Sequence, residues 1–411
     1  MSKRVKALAA GTSAAIAMSV SAFADDTTEI LNGQINLQAE VAALLRVDAG
    51  ETGEATLAST AMANVLDVET IAPHDVENTQ SFGGFVTADA ETSVTSVDGT
   101  ALTVSTAMGN GATLDMTGDS DISSTQAAAD GSSVFAGATL RVGSYANSSV
   151  TAANAAANAV EIEADYGSIN GLLRQDSGAD VRADATIDAR NGGMGWTAVL
   201  GATASGNNVQ TSGYVSDQIL DVEQANRGEV RATARMEAGG GSRFTTVASQ
   251  AQGNGLSVEN QWGYAHAQGS QTNSGDADAL TDINLGNFDQ DSIIASADSL
   301  GNSAVVSNIG ADVFVGLDQN NIGNVNATMR FSGDDGGEVI GSASAFGNAL
   351  SAYSCNECPN VQATGEVNQT NSGRVTSTFQ ATQQTGWGIT GAANAVGNSA
   401  SFVTTSPYTQ D

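Results

Sequence analysis

The sequence predicts an all-β, elongated β-solenoid of stacked coils. A repeat of about 48 residues fills nearly the whole chain, apolar residues alternate between its turns, and the side chains available for a core are small. A period in this range implies stacked units, each too small to bury a core alone.

The first repeat marker is a small-residue/Asn elbow: Ala63-Asn64, Gly109-Asn110, Ala157-Asn158, Gly206-Asn207, Gly253-Asn254, Gly301-Asn302, Gly347-Asn348 and Gly397-Asn398. Its steps are 46, 48, 49, 47, 48, 46 and 50 residues. The second marker is Gln34, Gln80, Gln126, Gln175, Gln224, Gln271, Gln319 and Gln369, in the same phase. The last four open the phrases QANRG, QTNSG, QNNIG and QTNSG, which read as turns because Asn and Gly tolerate left-handed backbone. A period of 48 residues suits two coils of about 24, in which recurring Gln and Asn either hydrogen-bond their own copies or serve only as local turn residues.

Taken in order, the chain opens with MSKRVKALAAGTSAAIAMSVSAFADD: a basic start, a small apolar stretch and an Ala22-Phe23-Ala24 cleavage site. This predicts a signal peptide over residues 1–24 and a single β-repeat region of about eight units over 25–411. Residues 38–46 fit either a short helical cap or the first coil. Further on, ATLRVGS, VRADATIDARN, VNATMRFSG and GRVTSTFQAT alternate with the period of half-buried strands. The alanine-rich stretch Thr151–Ala164 has helical propensity, but Ala157-Asn158 keeps the repeat beat and predicts strand. In the last unit, Arg374–Gln383, Ile389–Val396 and the residues after Asn398 form separate alternating runs.

Charge limits the partners. Loss of residues 1–24 leaves eleven arginines and no lysine against 45 acidic residues, a net charge near −34. Such a field repels nucleic acid and anionic membrane surfaces and attracts divalent cations diffusely. No cofactor site is read from the sequence. GDDGG at 333–337 and DGS at 130–132 lack the ligand spacing of calcium loops. Cys355 and Cys358 are the only cysteines; in an exported chain they read as a structural disulfide pinning a loop, against the rival readings of metal ligation and redox activity. His74 and His266 lie too many periods apart to complete a zinc site with them. Arginines look scattered, and Trp196, Trp262 and Trp387 are isolated, as core residues or sugar-stacking platforms. Carboxylate pairs for glycoside cleavage can always be drawn in so acidic a chain, but no elaborated repeat concentrates site residues.

An export signal followed by a long, acidic, lysine-free series carrying ASAFGN, ANAVGN, QTNSG and QNNIGNVNA resembles the holdfast-anchoring protein D family of stalked alphaproteobacteria. That resemblance implies an outer-membrane-associated, cell-surface, non-enzymatic anchor for an adhesive polysaccharide, with outer-membrane anchor or secretion proteins as partners. A fainter likeness to curli-type repeats, in which the order here is Q-x-N-x-G rather than Q-x-G-x-N, implies self-association. The alternatives are a self-assembling, amyloid-like matrix subunit and a polysaccharide-processing enzyme on a β-solenoid.

Overall fold

The computed structural model describes residues 18–19, 28–37, 39–71, 74–241, 243–355 and 361–405. The predicted signal peptide lies outside them, except for Met18–Ser19, which pair antiparallel with Asn32 and Gly33. Cys358 also lies outside them.

The architecture is all-β and elongated, with parallel strands repeating in a solenoid-like stack. All described strands join one sheet, and every ladder beyond Met18–Ser19 is parallel. Each period makes three arms. The first arm is nine residues long: Thr28–Asn36, His74–Phe82, Ser120–Ala128, 169–177, 218–226, Ala265–Asn273, Val313–Asn321 and Ala363–Asn371. The second runs through Glu40–Thr52, 85–97, 133–146, 180–194, Val230–Gly240, 277–288, 325–336 and 375–386. The third runs through Ala55–Thr70, 100–117, 148–165, 197–214, Phe244–Gln261, 292–309, 338–355 and 388–405.

Ladder partners are 45 to 50 residues apart, as in Glu40↔Phe85 and Val325↔Val375. One period is therefore one circuit, and the expected two coils per period are corrected to one. The half-period is a layer, not a coil: the first and second arms form one layer, and the third folds back as the other. Eight rungs at about 4.8 Å make a stack roughly 35 Å tall, half of what two coils per period would give.

Two cores run along the stack. Between the second arm and the first half of the third, alanines line up in register: Ala88, Ala136, Ala183, Ala232, Ala279 and Ala327. The small side chains let the layers approach closely. Between the first arm and the second half of the third, larger residues such as Leu114, Ile162, Leu173, Leu220 and Leu317 fill a second core. Thr151–Ala164 is strand, as its register predicts; Ala153, Ala155 and Ala157 point into the first core, and burial overrides helix propensity. Residues 40–46 belong to the first coil and are strand.

A polar seam divides the cores. Gln80 Nε2 donates to Gln34 Oε1 at 3.1 Å, Gln126 to Gln80 at 2.8 Å, and the series continues without a gap to Gln369 on Gln319 at 2.7 Å. Each Gln also donates to the carbonyl just after an elbow Asn, as Gln224 does to Gly255 O at 2.8 Å. The Asn ladder runs the other way: Asn64 Nδ2 donates to Asn110 Oδ1 at 2.7 Å, and so on to Asn348 on Asn398. The Gln markers therefore lie within strands and face inward, whereas the sequence predicts turns there. The turn starts after the Asn two residues later, as at Asn371.

Candidate functional site

The elbow residues are internal. The third-arm ladders skip one residue at Gly109, Gly206, Gly253, Gly301, Gly347 and Gly397 and resume at Asn110, Asn207, Asn254, Asn302, Asn348 and Asn398. A Cβ on Gly301 would lie 2.4 Å from Asn321 Oδ1 and 2.5 Å from Gly347 O, so close approach of the arms requires glycine there. Asn110 to Asn348 in this set are fully buried, and only Asn398, in the last coil, is exposed. Their positions make them a scaffold, and the surfaces available to partners lie elsewhere.

The second arm's outer face carries the feature that linear reading misses. Seven of the eleven arginines beyond the signal segment stand on it: Arg46, Arg141, Arg182, Arg190, Arg231, Arg235 and Arg330. The signal was present, because all seven fall 7 to 15 residues after a Gln marker. Ion pairs cross the coils: Arg46 Nη1 to Glu91 at 3.1 Å, Arg141 to the same Glu91, Arg190 to Glu237 at 2.5 Å and Arg235 to Asp282 at 3.7 Å. These arginines are about half exposed, so each pair contributes only ~0–1 kcal/mol. Asp89, partly desolvated and beside Glu91, has its carboxyl raised above the ordinary aspartate value, with Arg141 opposing the shift.

Three depressions of about 340, 300 and 350 Å³ follow one another along this face. The first two share Arg141, Asp188 and Arg190; the second and third share Arg235 and Glu237. They form one shallow groove parallel to the stacking axis, from Ala49 in the first coil to Thr382 in the last.

The first arm's outer face differs. A groove of about 600 Å³ is lined by Asp75, Glu77, Asp121 and Asp221 with Leu172 and Ile219. No group of three or more potential metal ligands occurs among the described residues. Asp130 pairs with Arg227, and Asp334 accepts from Gln384 Nε2 at 3.0 Å, so these acidic loops are tied to neighbouring coils.

The tryptophans are surface residues at corners. Trp196 and Trp387 sit between the second and third arms and are 53% and 74% exposed; Arg243 stacks over Trp196 at 4.6 Å. Trp262 sits at the return corner, where it, Tyr166 and Val215 hold positive φ at the position occupied by Gly118 and Gly310 in other coils. Left-handed backbone at bulky residues is strained. His266 stacks beside Tyr264 and Phe314 and faces no second histidine.

No curated protein and no solved structure matches the chain. The family model described as "Holdfast attachment protein D" matches residues 49–324, more than half of the 411 residues and five complete coils. The chain belongs to the holdfast attachment protein D family.

Proposed function

We propose that this chain is a cell-surface tether that helps hold an adhesive, holdfast-like polysaccharide to the outer membrane. The observation that carries this reading is the family match over residues 49–324. Family membership gives a non-enzymatic, structural role and a location at the cell surface. The finer reading is that residues 1–24 direct export, that residues 25–411 form one region of eight coils, and that outer-membrane anchor or secretion proteins place it. The repeated surface supports attachment, because equivalent weak contacts on successive coils to one polymer add through effective concentration. Surface labelling of intact cells with and without candidate outer-membrane neighbours tests the placement. Labelling that depends on a neighbour is expected; secretion into the medium regardless of neighbours would contradict it.

A second reading, end-to-end self-association, is favoured by the polarity of the ladders. Among the described residues, Gln369 Oε1 and an N–H of Asn398 end the ladders at one side of the stack, and Gln34 Nε2 and Asn64 Oδ1 begin them at the other. Both ladders would continue with correct donor and acceptor if the last coil of one copy met the first coil of another. A monomer 35 Å tall needs such stacking to reach far. Electron microscopy of the purified exported chain should show linear oligomers, and a stable monomer under all tested conditions would remove this reading.

A further inference from the structure

We infer that the axial groove on the second arm's outer face is the track in which an uncharged, hydroxyl-rich polysaccharide lies, extended along the stack. This rests on the tether reading above and names the face and the polymer class.

Geometry is the first ground. The groove runs across the coils, with Arg141, Arg190 and Arg235 on three successive coils, Asp282 on the next and Arg330 on the one after. Neighbouring levels are about 4.8 Å apart, comparable to the advance of one sugar along an extended chain. A linear polymer in the groove therefore meets at least one hydrogen-bonding side chain at each step, charged on most coils and neutral on the last. Register builds this: Arg235 is opposite Asp282, and Asp282 is opposite Arg330.

Charge is the second ground. The whole chain carries −31, yet the groove's four arginines face Asp188, Glu237 and Asp282, close to balance. A polyanion would be repelled by the rest of the molecule and would find few unpaired cations here, because Arg190 and Arg235 already hold carboxylates. A polycation would be drawn to the carboxylate-lined first-arm groove instead. An uncharged polymer meets neither penalty.

Chemistry is the third ground. A guanidinium has five N–H donors and a carboxylate about four acceptor sites, and an ion pair uses only one or two of each. A paired Arg–Asp column therefore still presents alternating donors and acceptors, which match hydroxyls that both donate and accept. Thr139, Thr186, Ser332 and Gln380 add neutral partners between the charged groups. The planar, paired side chains are also held in place before ligand arrives, which reduces the ordering cost of binding.

The test uses the exported full-length chain and four fluorescent hexasaccharides: glucose and N-acetylglucosamine oligomers (uncharged), a galacturonate oligomer (anionic) and a glucosamine oligomer (cationic). Binding of at least one uncharged oligomer is expected, with affinity rising as the oligomer lengthens. Arg235→Gln with Arg330→Gln should weaken it at least tenfold, and Thr186→Tyr, which obstructs the groove without removing charge, should do the same. Arg174→Gln, on the first-arm face, should leave it unchanged. Circular dichroism confirms that each variant is folded. Unchanged binding in both groove variants overturns the assignment of the groove while leaving the tether reading intact. Preference for a charged oligomer overturns the polymer class. If the chain binds none of the four yet cells lacking it shed their polymer, the inference fails and the tether stands; if such cells keep their polymer, the tether reading itself fails.

Discussion

Replacing Gln224 by leucine should unfold the middle of the stack far more easily than the same change at Gln369. Gln224 Nε2 donates to Gln175 Oε1 and to Gly255 O, both at 2.8 Å, and its Oε1 accepts from Gln271 Nε2 at 2.8 Å. The residue is buried, so Leu keeps the volume and removes all three bonds. Each buried group left without its partner costs ~1–3 kcal/mol. Gln271 keeps its bond to Ser303 O but loses the partner of its other N–H, so the stranded groups are Gly255 O, Gln175 Oε1 and that N–H. For three such groups the expected cost is about 3–9 kcal/mol, a large part of a typical domain's stability. Gln369 makes two bonds, to Gln319 Oε1 and Ser399 O, in the last coil, where water can replace them. Its loss should cost only about 1 kcal/mol. Hydrogen exchange on both variants separates the effects, because local opening in a repeat protein is read coil by coil. Equal protection loss at the two sites, or none at Gln224, would refute the view that the ladder is a buried structural element.

Gly301→Ala should destabilise by about 1–3 kcal/mol through overpacking against Asn321 and Gly347, whereas Gly193→Ala, which meets no atom within 4 Å, should be near neutral; thermal melts of both check this. Asp89→Asn should be more stable than the natural chain at neutral pH and equal to it below the aspartate range. Desolvation and Glu91 raise its folded carboxyl above 3.8, so the folded state holds the proton more tightly and stability falls as pH rises through that window; denaturant titrations at several pH values read the difference. Changing Cys355 and Cys358 together to serine should leave global stability almost unchanged, since a disulfide between them closes a very short loop, and thiol trapping of the exported chain should find no reactive sulfhydryl.

The repeat was legible because Gln and the elbow Asn recur at one phase, and the ladders explain that phase: a residue that bonds its own copy one circuit later must recur once per circuit. Coil number was not legible. Alternation with period two is the same whether 24 residues close a circuit or form one layer, and only the register, such as Glu40↔Phe85, decides. Placing Gln369 in a turn followed from its neighbours Asn371 and Gly373, but a buried amide with ladder partners is stable inside a strand. The arginine face was hidden by uneven coil lengths. Arg141 and Arg190 are 49 residues apart, Arg190 and Arg235 are 45 apart, and bulges near Arg141 and Ala238 shift the register between them. Composition showed only a strongly acidic chain; folding sorted seven of the eleven arginines beyond the signal segment onto one face.

The most direct test of the tether is where the polymer goes when the chain is missing. In cells lacking this chain, the adhesive polysaccharide should still be made but should wash off into the medium, and restoring the full-length chain should return it to the cell surface. Polymer that stays bound to washed cells lacking the chain, in the same amount as with it, would contradict the account.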